Sequence, residues 1–313
     1  MTRPVDPRPL MTMAVIAYRQ EAFIREAVEG AFAQTYEPLE IILSDDGSPD
    51  DTFAIMEEMA AAYQGPHSVV VRRSESNRGL ADHVNDIVEL ANGRYLALAA
   101  GDDVSLPTRM DQAYKAFTRT DASFVESGFV EIDIDGARTG RVNRHADQAI
   151  SLPQFLTRKK KRNVGAARAY DLESLRRFPP LHSDCPTEDT TFLLRCLLCR
   201  PGRTISNIAI MRRLHGNNLS SGDNAARIPY DILQRQYLAD VAFARDNGIT
   251  NIASARRVID WANGWHLYRS SLQRLRKGSS AISVAADLVF DKAPLSYKLR
   301  VIRDIAHADY RKF

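Results

Sequence analysis

The chain has 313 residues, 44% hydrophobic and 26% charged, which is the ordinary range of a soluble globular protein with room for one large domain or a domain with an appendage. No apolar run approaches the roughly 18 residues that a membrane span needs, and three cysteines (Cys185, Cys196, Cys199) are too few for a disulfide framework, so a reducing cytoplasm is the expected location. The net charge of +3 is uneven: from residue 251 onward twelve Lys/Arg stand against five Asp/Glu, a local +7 that leaves −4 elsewhere, which suits either a solvated helix face or peripheral contact with an anionic membrane, and no nucleic-acid partner is expected.

Residues 1–10 read as a flexible lead-in carrying Pro4, Pro7 and Pro9, without the apolar core of a signal peptide. "TMAVIA" (12–17) is strand-like, and a helical pattern follows from Glu21 to Ala33, with Phe23, Ala27, Val28, Ala31 and Phe32 on one face. "LEIILS" (39–44) predicts a second strand that runs into "DDGSPDDT". There Asp50 or Asp51 is placed to cap a helix reaching about Tyr63. "SVVVRR" (68–73), "LADHVNDIVELA" (80–91) and "RYLALAA" (94–100) predict strand, helix and strand. Such alternation with short loops predicts an α/β fold with a doubly wound, mostly parallel sheet. Ligands of these sheets bind beyond the carboxyl ends of the strands, where Tyr18-Arg19, Asp45-Asp46, Asn77-Arg78 and Asp102-Asp103 all fall.

Further on, 122–140 holds strand-like segments with Asp135-Gly136 as a hairpin turn, and Lys159, Lys160, Lys161 and Arg162 form a basic run. Around "TTFLLRCLL" the leucines make Cys196 and Cys199 core thiols of a buried helix rather than zinc ligands. From Asn224 on helix dominates, with Trp261, Trp265, Leu267, Tyr268, Leu272 and Leu275 on buried faces.

Each candidate residue has a structural reading when taken alone. Asp45-Asp46-Gly47-Ser48 is turn chemistry, Thr187 or Asp189 is a helix cap, His215 is a structural histidine, and Arg212 and Arg213 either hold phosphate charge or lie on the surface. Asp102-Asp103 is different. Two adjacent carboxylates behind a glycine repel each other, and hard oxygen ligands at a strand end suit Mg²⁺ or Mn²⁺ carrying a diphosphate.

In combination, "VIAYRQEAFIREAVEGAFAQTYEPLEIILSDDGSPDDT" and "NRGLADHVNDIVELANGRYLALAAGDDVSLPTRM" resemble the nucleotide-sugar domain of glycosyltransferase family 2, strongly over about residues 11–115 and more loosely to about 220. The resemblance implies a GT-A fold with a nucleotide-sugar-binding half (11–120), an acceptor-binding half (121–222) and a C-terminal helical extension (223–313). It implies that Ala17, Tyr18 and Asp45 line the donor's base and ribose, with Asp46 and Arg78 beside them. Asp102, followed by Asp103, matches the Asp-x-Asp carboxylate that meets metal and diphosphate, although Ala100 stands where the family has a first Asp. His215 matches a histidine that approaches the metal or diphosphate. Thr187-Glu188-Asp189 resembles the motif whose Asp is the general base, with Glu188 and Gly165 on the acceptor side.

The implied activity is inverting transfer of a single sugar from a nucleoside-diphosphate sugar, UDP favoured, with Mn²⁺ or Mg²⁺. The acceptor is a glycan or lipid-linked glycan in bacterial O-antigen or capsule synthesis, with the basic run as a contact to an anionic acceptor. The C-terminal helices "WANGWHLYRSSLQRLRKG" and "YKLRVIRDIAHADYRKF" alternate apolar and basic residues, which suits a lid over the acceptor, a dimer contact or a foot on the inner membrane face. A sugar nucleotidyltransferase would want a glycine-rich loop after the first strand, where this chain has "AYRQEAF". A non-catalytic nucleotide-sugar-binding protein stays open through Ala100. The missing G-x-G-x-x-G argues against a dinucleotide dehydrogenase, and the missing Gln-x-x-Arg-Trp argues against a processive synthase.

Overall fold

The computed structural model describes residues 8–157, 165–216 and 228–306. Most of the lead-in, the basic run at 159–162 and the expected boundary at 222/223 lie outside the described residues.

The first half alternates as its periodicity predicts: β1 (Met11–Ala17), α1 (Ile24–Phe32), β2 (Leu39–Asp45), α2 (Thr52–Ala62), β3 (Ser68–Arg73), α3 (Leu80–Leu90) and β4 (Tyr95–Ala100). The strands lie in the order β3-β2-β1-β4, all parallel, with Ala17 opposite Asp45 and Ile16 opposite Ala100. β1, β2 and β4 are covered on both faces and are therefore apolar almost throughout, whereas the edge strand β3 is only half-buried. α1 begins three residues later than its apolar pattern, because Gln20 O closes a turn with the N–H groups of Phe23 and Ile24. At α2 it is Asp50, not Asp51, whose carboxylate accepts from Thr52 N, at 3.2 Å.

The sheet continues with β5 (Val104–Ser105), α4 (Arg109–Thr120), β6 (Phe124–Ile132), β7 (Arg138–Asn143), β8 (Gln148–Ile150), α5 (Leu152–Thr157), a 3₁₀ turn at Gly165–Ala167, β9 (Arg168–Asp171), α6 (Leu172–Arg176), α7 (Asp189–Cys199) and β10 (Gly202–Arg213). Beyond β4 the order is β9-β6-β10-β5, with β9 antiparallel to both neighbours and β6 parallel to β10. β6 and β7 form the hairpin expected at Asp135-Gly136, closed by Asp133 N to Ala137 O at 2.9 Å with Gly136 at φ 83°. One core joins sheet and helices, from Met13, Val15, Ile41 and Leu43 to Ile24, Val28, Met110 and Phe117, whose ring lies 3.9 Å from that of Tyr95. Cys196 is sealed in the interior of α7, where burial pushes its thiol up.

The chain divides into two compact units: Met1–Ser183 with Thr187–His215, and Asp184–Pro186 with Gly216–Phe313. The second holds α8 (Tyr230–Asp246), α9 (Ile252–Arg276), α10 (Ala281–Phe290) and α11 (Leu295–Ala306). Asn251 and Ser280 cap α9 and α10 by accepting from Ser254 N and Ser283 N, at 2.8 and 3.1 Å. Leu267, Tyr268, Leu272 and Leu275 of α9 meet Val284, Leu288 and Val301 in a second core. Among the described residues no helix is long and apolar enough to cross a membrane.

Candidate active site

Four parallel strands end together, and backbone hydrogen bonds extend their ladder by one step: Asp46 N to Ala17 O at 2.9 Å, Gly101 N to Ile16 O at 3.0 Å and Ser74 N to Asp45 O at 2.9 Å. A Cβ on Gly101 would come within 2.8 Å of the Ala17 side chain, so both residues are small where the strands open. Tyr18 is half-buried beside Ala17, with the Arg19 guanidinium 5.4 Å from its ring centre.

The first acidic pair is spent on loop shape. Asp45 is fully buried, accepts from Ser48 N at 2.9 Å and takes a very short bond from the Ser48 hydroxyl, while Arg73 Nε lies 3.4 Å away. Asp46 accepts from Arg78 N at 3.1 Å and Gly79 N at 2.9 Å, clamping the third loop onto the second. Asp46 and Arg78 thus meet through the Arg78 backbone. The Arg78 guanidinium turns instead to Asp86, which it shares with Arg72, each at 2.8 Å. A cavity of about 330 Å³ lies at this end of β3, lined by Arg72, Arg73, Ser74, Glu75, Ser76 and Arg78.

The second pair divides its work. Asp103 points inward and accepts from Arg213 N at 2.8 Å. Burial first, and the neighbouring Asp102 charge second, push its carboxyl up to about 7. Asp102 points the other way, and its Oδ2 lies 2.9 Å from Nε2 of His215, whose ring stacks on Phe23 at 4.9 Å. Arg213, which the sequence left open as a surface residue, is 1% exposed. It donates from Nε to Asp102 O at 3.1 Å and from Nη1 to Ile134 O at 2.9 Å, pairs with Glu26 at 2.9 Å and covers the Phe23 ring.

Asp102 and His215 suit a divalent cation in part. Among the described residues no group of three or more His, Cys, Asp or Glu converges on one point, so the described residues offer two ligands, Asp102 and His215. Six-coordinate Mg²⁺ or Mn²⁺ would complete its shell with diphosphate oxygens and water, as these ions do when they ride on a substrate phosphate. Ala100 is consistent with that short set of protein ligands.

On the other flank, Asp189 is the first residue of α7, but its carboxylate does not cap the helix. Oδ1 accepts from the hydroxyls of Thr187 at 2.9 Å and Thr190 at 3.0 Å, leaving Oδ2 without a hydrogen bond among the described residues. The fully buried Arg168 fixes this turn by donating to Asp189 O at 2.9 Å while its Nε is held by Glu126 at 2.9 Å. Burial, and then the Asp189 charge, push Glu188 up to about 7. Gly165 lies against both: a Cβ there would come within 2.6 Å of Asp189 Cβ and 3.2 Å of Glu188 Oε1.

Topology places the two flanks at one sheet edge. β9 runs antiparallel to β4 with Ala97 opposite Ala169, so the turn at Gly165–Ala167 sits at the carboxyl end of β4. Arg109 ties the two strands there by donating to Leu98 O and Arg168 O, at 2.7 and 3.2 Å. Sequence reasoning missed Phe23, Arg168 and its partner Glu126. Only the position of Arg213 two residues before His215 hinted at a role for that arginine.

Comparison with known proteins agrees with this geometry. A family model described as Glycosyl transferase family 2 matches residues 12–181. The Escherichia coli protein named UDP-Glc:alpha-D-GlcNAc-diphosphoundecaprenol beta-1,3-glucosyltransferase WfaP is 28% identical over 127 residues, 39% of this chain and 49% of that protein. The chain spans less than half the length of such curated relatives. Among solved structures, Staphylococcus aureus TarS 1-349 superposes with a TM-score of 0.63 at 13% identity, covering 95% of this chain and 82% of that one. The Pyrobaculum calidifontis mannosyltransferase PcManGT, in complex with GDP-Man and Mn²⁺, gives 0.54 at 17% identity, covering 94% and 84%. At these identities the structural likeness is one of fold.

Proposed function

Because the chain belongs to glycosyl transferase family 2, we propose that it is an inverting glycosyltransferase that moves one sugar from a nucleoside diphosphate to an acceptor hydroxyl. The observation that carries this reading is the pairing, at one sheet edge, of a carboxylate–imidazole couple (Asp102 and His215) with a second carboxylate, Asp189, whose Oδ2 has no hydrogen bond among the described residues.

In this reading Asp189 takes the acceptor hydroxyl proton as that oxygen bonds to the anomeric carbon on the side opposite the diphosphate. The bond from carbon to the phosphate oxygen breaks, its electron pair leaves with the nucleoside diphosphate, and the new glycoside has inverted configuration. Thr187 and Thr190 orient Oδ1 so that Oδ2 faces the acceptor, and Arg168 holds the turn that carries Asp189. Asp102 and His215 would hold Mn²⁺ or Mg²⁺, which when bound neutralises charge on the departing diphosphate. Ala17, Tyr18 and the Asp45–Asp46 loop, stiffened by Ser48 and Arg78, would cradle base and ribose, with Glu188 and Gly165 on the acceptor side.

A UDP-sugar is the favoured donor. The name of WfaP specifies UDP-Glc, and TarS 1-349 has been crystallised with UDP-GlcNAc. By the same analogy the acceptor is a glycan or lipid-linked glycan of a bacterial surface polysaccharide, O-antigen or capsule, reached at the cytoplasmic membrane face.

The test is a thermal-shift panel of UDP, GDP, dTDP and CMP, with and without Mn²⁺, on the wild type, Asp102→Ala and Asp189→Asn. UDP stabilisation that needs Mn²⁺ and Asp102 but survives Asp189→Asn is expected, with transfer lost in both variants. No response to any nucleotide would sink the transferase reading and favour another ligand.

A further inference from the structure

The second unit exposes apolar residues in two ordered rows. In α11, Leu295, Leu299 and Ile302 are 68, 55 and 48% exposed, and Ala306 is exposed with them. At about 100° per residue these four fall within an arc of about 60°. In α10, Ile282 and Val289 are 83 and 71% exposed, and the exposed Ala286 completes the same i, i+4, i+7 row. Each helix has already committed its opposite side to the shared core, Val284 and Leu288 from α10 and Val301 from α11. A surface helix normally turns polar residues outward once its apolar face is packed, but these two are apolar on both sides.

The charges beside the rows are basic. Lys298 and Arg303 lie on either side of the α11 row, about 60° and 80° from Leu295, and the exposed Lys292 links the two helices. From Arg274 to Asp304 there are seven Lys/Arg and three Asp/Glu. Two of those acids are occupied: Asp287 pairs with Arg274, and the buried Asp304 accepts from Tyr268 and pairs with Arg303 at 2.8 Å. The tryptophan-bearing helix α9 is different. It spends Trp261, Leu267, Tyr268, Leu272 and Leu275 on the interior.

We propose that the outer faces of α10 and α11 are a docking surface for an anionic lipid bilayer. Leu295, Leu299, Ile302, Ile282 and Val289 enter the boundary between headgroups and acyl chains, and Lys292 and Lys298 reach the lipid phosphates. An exposed apolar row with cationic flanks is the pattern of a helix that lies in the membrane surface. A second copy of the chain fits less well, since stacking this face on itself would set basic flanks against basic flanks. The surface belongs wholly to the second unit and adds a partner to the proposed transferase without depending on its chemistry.

The experiment is co-sedimentation of the full chain with phosphatidylglycerol/phosphatidylcholine vesicles and with phosphatidylcholine alone, with gel filtration and the UDP thermal shift in parallel. Wild type should partition onto the anionic vesicles at least about tenfold better. Leu299→Ser with Ile302→Ser should lose about tenfold of that partition, and Lys292→Glu with Lys298→Glu should fall to the phosphatidylcholine level. Both variants should keep the wild-type melting temperature and UDP response. Equal partition onto both vesicles, no partition, or partition indifferent to the substitutions overturns the proposal. So does a wild-type dimer that the serine variant converts to a monomer. Vesicle binding that persists without any UDP response would instead remove the transferase reading and leave this one standing.

Discussion

Nε2 of His215 lies 2.9 Å from Oδ2 of Asp102, across 113 residues of sequence. Three contacts hold them together: Phe23 stacks on the imidazole, Arg213 bonds the Asp102 carbonyl, and Asp103 accepts from Arg213 N. Removing either partner should abolish Mn²⁺-dependent stabilisation by UDP. Transfer should fall by about 10²-fold or more, the usual size of the effect when a group stabilising a leaving charge is deleted. His215→Gln, which keeps a polar tip, should lose less than His215→Ala. Isothermal titration with Mn²⁺ and UDP checks this, and undiminished Mn²⁺ dependence in His215→Ala would remove the histidine from the metal site.

Gly165→Ala tests the acceptor flank. The new Cβ would sit 2.6 Å from Asp189 Cβ, so the turn that carries Asp189 must move. A displacement of this size should lower kcat by about 10- to 100-fold with the donor KM nearly unchanged. Steady-state kinetics with UDP-sugar and acceptor separates the two parameters, and a pure KM effect would place Gly165 elsewhere.

Gly47→Ala tests the donor loop. Gly47 has φ 70°, and a Cβ there would approach the Ser76 backbone to 2.6 Å. Backbone strain and steric clash together should destabilise the protein by about 2 kcal/mol or more. Urea denaturation measures the change, and a shift under about 0.5 kcal/mol would show that the loop relaxes freely.

Glu188 predicts a pH effect with a definite sign. Its carboxyl is raised to about 7 by burial and by Asp189. The neutral form is therefore favoured in the folded protein, and that stability contribution is full at acid pH and lost as pH rises through about 7. Glu188→Gln does not share the loss. From about pH 5 to about pH 8 the variant's melting temperature should rise relative to wild type, and a gap independent of pH would contradict the raised Glu188 carboxyl.

Local pattern alone determined the strand–helix alternation of the first hundred residues. Continuous apolar runs bounded by turn residues mark β1, β2 and β4 as strands covered on both faces, and a 3.6-residue period marks α1 and α3 between them. Once the strands are parallel, the rule that ligands bind beyond their carboxyl ends places Asp45, Asp46, Arg78, Asp102 and Asp103 at one mouth. What each side chain does there was decided by tertiary structure. Neighbours in sequence point to opposite sides where a strand ends, so Asp103 turns inward to Arg213 N while Asp102 turns out to His215. Asp45 went to Ser48 and Asp46 to the Arg78 backbone. Asp189 opens α7 with Glu188 at the cap position, and its Oδ1 goes to two threonine hydroxyls while Arg168 holds its carbonyl. In α10 and α11 the sequence shows apolar residues on both sides of each helix, and only packing decides which side is core and which is surface. Periodicity is a property of one element. Partnership and burial depend on contacts between segments far apart in the chain, and folding alone makes them neighbours.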